Sequence, residues 1–280
     1  MRDVQQAEGG NGVSSATALR STVENNVCRD LYLDLLKKSI SDTLYKAEPD
    51  VDRETLEKYV SGFISHYING RAVTMLPRRR LDHLQTCVAE IERNHIPGDL
   101  IETGVWRGGA TILMRALLRV YGNQERTVWV ADSFEGLPEP DASRFPKEAK
   151  VFHGPTIQRG YKKMAATLEE VRANFEAYGL LDQQVRFLKG WFKDTLPGLP
   201  VTRLALMRLD GDYYEGTMDA LLNLYDKLSV GGIVIIDDYG EDLWTECRQA
   251  VDRFRAEQGI VDPLIAVDSK CFWWRRTARD

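Results

Sequence analysis

Residues 97–118, PGDLIETGVWRGGATILMRALL, read in order as a turn, a strand, a glycine-rich turn and a helix. Pro97-Gly98 breaks the chain, DLIET (99–103) is a short apolar run, and Gly104, Gly108 and Gly109 follow it. Ile112, Leu113, Ala116, Leu117 and Val120 then keep a helical spacing. Outward from this βα unit the pattern repeats, with strands expected at 127–132, 185–190, 203–210 and 231–238. Helical stripes fall between them, at Leu168, Val171 and Phe175, at Met218, Leu221, Leu222 and Tyr225, and at Leu243, Cys247, Val251 and Phe254. This alternation predicts an α/β protein with a mostly parallel sheet. PLIAVD (263–268) and KCFWWRR (270–276), joined by a tight turn, are expected to add an antiparallel edge, which makes seven strands.

The sheet domain is assigned to 97–280 and a helical segment to 28–96, with helices expected at 31–45 and 80–94. Residues 1–27 are rich in Gly, Ser, Asn, Gln and Thr without an apolar period and are read as a flexible tail. The stretch from Ser133 to Ala166 is long and polar and follows the second strand, so it is read as a loop that covers the ligand.

With 280 residues, 43% of them hydrophobic and 28% charged, the chain has the composition of an ordinary globular protein. Its net charge of −5 argues against a nucleic-acid partner, whose affinity rests on positive charge. A small molecule is the expected partner. The four cysteines, Cys28, Cys87, Cys247 and Cys271, are scattered without zinc spacing and read as reduced and buried. No apolar run exceeds four residues and the N-terminus has no apolar core, so neither a membrane span nor a signal peptide is expected; the reading is a cytoplasmic protein.

In open parallel sheets, ligands sit beyond the carboxyl ends of the strands. There the chain places Glu102, Thr103 and Gly104 after the first strand and Asp132 after the second. Asp132 has the position of a carboxylate that takes both ribose hydroxyls of a nucleotide-like cofactor, NAD or S-adenosyl-L-methionine. The glycines run G-x-x-x-G-G instead of G-x-G-x-x-G, and Glu102 would repel a pyrophosphate while attracting an ammonium and a sulfonium. Both features favour the methyl donor. Trp191 and Phe192, just after Gly190, either sandwich an adenine or belong to the core.

Asp210 ends the fourth strand and Asp237-Asp238 the fifth. Neighbouring strands lie about 4.8 Å apart, so three carboxylates converge and repel unless a cation lies among them. An oxygen-only set suits Mg²⁺, with Mn²⁺ or Ca²⁺ as alternatives. A cation there acidifies an acceptor hydroxyl whose proton Asp210 can take. Among alternative bases, His66, His83 and His95 read as structural and His153 as a candidate substrate contact. Arg78, Arg79 and Arg80 read as a solvated helix start.

The segments 97–118, RTVWVADSFEGLPEP, YGLLDQQVRFLKGWFKDTLP, MRLDGDYYEGTMDAL and SVGGIVIIDDY resemble the macrocin-type sugar O-methyltransferases of antibiotic biosynthesis, which include enzymes of the mycinamicin and novobiocin pathways. The resemblance implies a class I methyltransferase fold of Rossmann type, S-adenosyl-L-methionine and Mg²⁺ as cofactors, and an N-terminal helical lid. It also implies a homo-oligomer, a dimer or higher, and methylation of a deoxysugar hydroxyl on a glycosylated natural product. Carried over, the metal triad is Asp210, Asp237 and Asp238, with Asp210 also the base. The donor site is Thr74, Met75, Glu102, Thr103, Gly104, Val105, Asp132, Ser133, Gly190, Trp191 and Phe192. The segment 141–166 departs from the mycinamicin-type pattern, which leaves the acceptor's identity open. A catechol-type methyltransferase, an NAD(P)-dependent dehydrogenase and a non-catalytic nucleoside-binding module are the competing readings.

Overall fold

The computed structural model describes residues 11–46, 67, 70–154, 165–240 and 245–278. Five parallel strands form the centre: β1 (Asp99–Thr103), β2 (Val128–Asp132), β3 (Val185–Lys189), β4 (Leu204–Leu209) and β5 (Leu228–Ile236). Two short strands, β6 (Ile265–Ala266) and β7 (Phe272–Arg275), complete a sheet of order β3-β2-β1-β4-β5-β7-β6, with β7 antiparallel to β5 and to β6. Each expected strand is present, within a few residues of its expected bounds.

Alternation along the strands builds two apolar layers, because successive side chains point to opposite faces. Leu100, Val130, Leu206 and Ile235 enter one buried cluster, together with α1 (Asn11–Ile40), α2 (Arg78–Arg93) and α3 (Gly109–Val120). Ile101, Ala131, Met207 and Ile236 enter the other, under residues that include Ala220, Leu221, Val251 and Phe254. The remaining helices are α4 (Pro146–Phe152), α5 (Leu168–Ala177), α6 (Phe192–Thr195), α7 (Tyr214–Leu224) and α8 (Glu246–Glu257).

Three expectations change. Helix α1 begins at Asn11 and ends at Ile40, where the apolar spacing indicated 31–45; from residue 11 onward the segment read as tail is therefore helical. An apolar period reveals only the part of a helix that packs, here at Leu33, Leu36 and Ile40. The loop after β2 contains α4, a helix of seven residues too short to display a period. Residues 1–10 of the tail and 155–164 of the loop lie outside the described residues, as does His66. Cys28 is exposed, whereas Cys87, Cys247 and Cys271 are buried, because Cys28 lies on α1 before its packed stretch.

Strand order reverses at β1, which is followed in sequence by β2 on one side and pairs with β4 on the other. The ladder runs one residue beyond the strands: Gly104 N donates to Ala131 O, Asp210 N to Thr103 O, Asp237 N to Leu209 O and Gly190 N to Asp132 O. These bonds line up Gly190, Asp132, Gly104, Asp210 and Asp237 along one rim.

Candidate active site

A cleft of about 770 Å³, open to solvent, lies along that rim. Its walls include Met75, Gly104, Trp106, Asp132, Ser133, Leu137, Pro138, Gly190, Trp191, Phe192, Asp210 and Asp212. Gly104 has a left-handed backbone, φ 83°, and a Cβ there would lie 1.8 Å from the Asp210 carbonyl oxygen. Only glycine lets β1 and β4 stay paired up to the cleft. Trp106 and Asp212, both on the cleft wall, and Phe134 beside it also have positive φ, at 47°, 53° and 57°. Non-glycine residues rarely adopt this conformation unless their surroundings enforce it.

Asp132 is held by backbone donors: Val105 N donates to Oδ2 at 2.7 Å and Phe134 N to Oδ1 at 2.8 Å. Burial raises its pKa, and the hydrogen bonds from Phe134, Val105 and Trp106 oppose the rise. This carboxylate therefore ties the turn after β1 to the turn after β2, in addition to lining the cleft. Ser133 Oγ donates to Gly136 O at 2.7 Å and fixes the same turn.

Other sequence-nominated residues lie behind the wall. Thr74 is buried, and its Oγ1 accepts from Leu76 N at 3.2 Å. Glu102, Thr103 and Val105 are buried beside the cleft without lining it. Trp191 and Phe192 are half-buried and do line it, and Phe192 also packs against the second apolar cluster. His153 is exposed and lies 3.2 Å from Glu139 on the cover segment, away from the cleft lining. Among the histidines, His83 packs against Trp273 with ring centroids 5.2 Å apart, a structural position.

The three aspartates do come together, each offering an oxygen within 4.8 Å of the others. Asp237 Oδ1 and Asp238 Oδ2 are buried and have no hydrogen-bond partner among the described residues. Burial, then the negative charge of Asp237, raises the pKa of Asp210, while Arg208 lowers it. Burial, then Asp212, Asp210 and Asp237, pushes Asp238 well above the ordinary carboxylate range, against the pull of Arg80. The partnerless Asp238 Oδ2 and the mutual repulsion of the three carboxylates fit a hard divalent cation.

Two guanidinium groups, Arg208 and Arg80, belong to this cluster, and neither was expected there from the sequence. Arg208, with a side chain only 3% exposed, donates from Nη1 to Asp210 Oδ2 at 2.9 Å and to Glu102 Oε1. Its Nη2 lies 2.6 Å from Asp237 Oδ1, an ion pair by distance, yet neither atom forms a hydrogen bond, so the contact is Coulombic and not directional. Burial raises Glu102 to about 8, and Arg208 opposes the shift. Arg80 reaches Asp237 Oδ2 at 2.7 Å and Asp268 at 2.6 Å, so of the three arginines read as a solvated helix start Arg80 is the exception, while Arg79 is exposed as expected. A signal existed for Arg208: it stands two residues before Asp210 on an otherwise apolar strand, hence on the same face, and a buried arginine requires partners. For Arg80 the signal was three cations in the first turn of a helix, where the macrodipole disfavours them.

A sheet of this order, with its reversed seventh strand and a cleft at the switch point, is that of the class I methyltransferases. The chain belongs to the macrocin-O-methyltransferase (TylF) family, whose model matches residues 67–276. It is 49% identical over 260 residues to an 8-demethyl-8-(2,3-dimethoxy-alpha-L-rhamnosyl)-tetracenomycin-C 4'-O-methyltransferase of Streptomyces olivaceus, covering 89% of this chain and 94% of that one. It is 45% identical to the demethyldecarbamoylnovobiocin O-methyltransferase of Streptomyces niveus, covering 94% and 99%. With the mycinamicin III 3''-O-methyltransferase of Micromonospora griseorubida it shares 42%, covering 89% and 97%. The solved structure of the O-methyltransferase NovP superposes with a TM-score of 0.76 at 45% identity, over 89% of this chain and all of that one. The protein is an O-methyltransferase, as the sequence resemblance implied, which removes the dehydrogenase and the non-catalytic module from the readings.

Proposed function

We propose that the protein transfers the methyl group of S-adenosyl-L-methionine to a deoxysugar hydroxyl of a glycosylated natural product, with Mg²⁺ held by Asp210, Asp237 and Asp238. The observation that carries this reading is Asp210, a carboxylate that both lines the cleft and belongs to the three-aspartate cluster. The acceptor class is supported by the relatives, one named for a rhamnosyl-tetracenomycin C and the others for demethyldecarbamoylnovobiocin and mycinamicin III.

The donor would lie on the β1–β2–β3 side of the cleft, against Met75, Gly104, Asp132, Ser133, Gly190, Trp191 and Phe192. Glu102, Thr103, Val105 and Thr74 would support that wall from behind. Asp132, held by backbone donors at both oxygens, lines the cleft where the ribose hydroxyls of the donor would lie. When bound, the cation would supply positive charge that acidifies the acceptor hydroxyl. Asp210 would take the proton: it lines the cleft, Arg208 holds its Oδ2 in place, and its raised pKa brings it nearer to neutrality, where a general base works best. Methyl transfer is an in-line displacement, so the remaining task is alignment and exclusion of water. The apolar Trp106, Leu137 and Pro138 serve that purpose.

The segment 28–96 is proposed as lid and oligomer contact in a homodimer, and the cytoplasm as its place of action. Among the described residues no helix is long and apolar enough to cross a membrane.

The test is calorimetry with S-adenosylhomocysteine, with and without Mg²⁺, followed by mass spectrometry of rhamnosylated and other deoxysugar-bearing acceptors. Methylated glycoside that disappears on chelation is the expected result. No binding of the homocysteine product would sink the donor assignment, turnover unaffected by chelation would sink the metal, and methylation of a catechol in place of a sugar would favour the aromatic class.

A further inference from the structure

The cation proposed above needs three carboxylates aimed at one point, and one of them, Asp237, is held from outside the cleft. Arg80 Nη1 lies 2.7 Å from Asp237 Oδ2 and 3.5 Å from the Asp237 carbonyl oxygen. The same guanidinium is clamped from its other side by Asp268, Nε to Oδ2 at 2.6 Å and Nη2 to Oδ1 at 3.0 Å. This is a two-pronged arginine–carboxylate fork, a geometry that a point charge cannot reproduce. Asp268 is itself fixed, its Oδ1 accepting from Lys270 N and Cys271 N at 2.8 Å each. A rigid chain of bonds thus runs from the β6–β7 turn through Arg80 to the end of β5.

Two further observations mark Arg80 as placed for this contact. It lies in the first turn of α2, which has no acidic residue there and no side-chain cap, so its charge works against the helix dipole. Its side chain is only 12% exposed, whereas Arg79 beside it is exposed. Asp237 is thus bracketed, Oδ2 hydrogen-bonded to Arg80 and Oδ1 facing Arg208 Nη2 at 2.6 Å without a directional hydrogen bond. We propose that Arg80 is a positioning residue that, braced by Asp268, holds the Asp237 carboxylate in the orientation the cation requires.

The inference rests on the cation reading, and its sign is the opposite of what charge alone would give. Removing a positive charge beside three carboxylates should tighten cation binding by Coulomb's law. Removing a residue that orients a ligand should weaken it, typically 10- to 100-fold. The experiment is calorimetric titration of the full chain with Mg²⁺ alone, without donor or acceptor. Arg80→Gln is expected to raise the Kd for Mg²⁺ about 10-fold or more, and Arg80→Lys by less, because one ammonium contact replaces the fork. Arg79→Gln removes the same charge from the same turn and should leave the Kd unchanged. Equal or tighter binding by Arg80→Gln would overturn the proposal. Should that variant fail to fold when melted in chelator, Asp268→Asn decides: it keeps Arg80 and Asp237 but weakens the clamp, and an unchanged Kd there equally overturns the proposal. If the wild-type chain takes up no divalent cation, the metal reading itself falls and this one with it.

Discussion

Asp210→Asn separates the two roles proposed for one carboxylate, because the amide keeps an oxygen ligand and loses basicity. Activity should fall about 10²–10⁴-fold, the usual scale for a general base, while affinity for S-adenosylhomocysteine is retained. Steady-state rates across a Mg²⁺ titration check it: restoration of wild-type turnover at high metal would leave Asp210 a ligand only, and place the base elsewhere. Asp132 carries a different expectation from the one its sequence position suggested. Its oxygens accept from Val105 N and Phe134 N, so Asp132→Ala leaves two enclosed donors unpaired, at about 1–3 kcal/mol each. Lower thermal stability should therefore accompany weaker donor binding; a variant that melts like wild type would show that the carboxylate does not hold the turns together. Asp132 and the aspartate triad were legible because strand ends are where chemistry gathers in such sheets. For Arg80 the misplaced charge at a helix start was a signal, but its partners lie 157 and 188 residues away and no local pattern names them.

Helix α4 shows what an element of seven residues can do once docked. Glu148 is buried and accepts from Tyr214 N, at the start of α7, at 2.9 Å. Phe145 stacks on Tyr214 with centroids 5.0 Å apart, and Arg144 pairs with Glu215. Tyr213, the residue that caps α7, makes no side-chain cap bond of its own, so Glu148 supplies that function from another segment. Burial raises the Glu148 pKa from 4.5 to about 7; the Tyr214 N–H opposes the shift, and Glu246 and Glu215 add to it. Between those values the folded state holds a proton that the unfolded chain has released. The contribution is thus fully present below pH 4.5 and is lost as pH rises through 7. Hydrogen exchange of residues 146–152 should accelerate over that interval, beyond the intrinsic dependence, and Glu148→Gln should remove the excess. An excess that survives in the variant would assign it to another group. The element was invisible to pattern reading because its docking depends on one carboxylate and one ring, whereas β1, β4 and the end of β5 announced themselves through apolar runs that the sheet buries on both faces.

At the scale of the whole molecule, a ligand that binds only the folded chain stabilises it by an amount fixed by concentration. S-adenosylhomocysteine at 100 times its Kd should add about 2.7 kcal/mol, seen as a higher melting temperature, and NAD should add none. A shift with NAD and none with the homocysteine would reverse the donor assignment. The cover between β2 and α5 should also gain protection at 141–154 when donor and acceptor bind; identical exchange with and without them would mean that it is not a lid. The fork through which Arg80 reaches Asp268 has one more consequence, for the order of events during synthesis. Translation proceeds at about 5–20 residues per second, so an arginine made 188 residues ahead of its anchor waits roughly 10–40 s for it. For that interval the parallel strands can assemble while the acidic rim lacks the strut that steadies it. The proposed cation site would then be among the last features the nascent enzyme completes, and a stalled ribosome would display a folded sheet without a finished site.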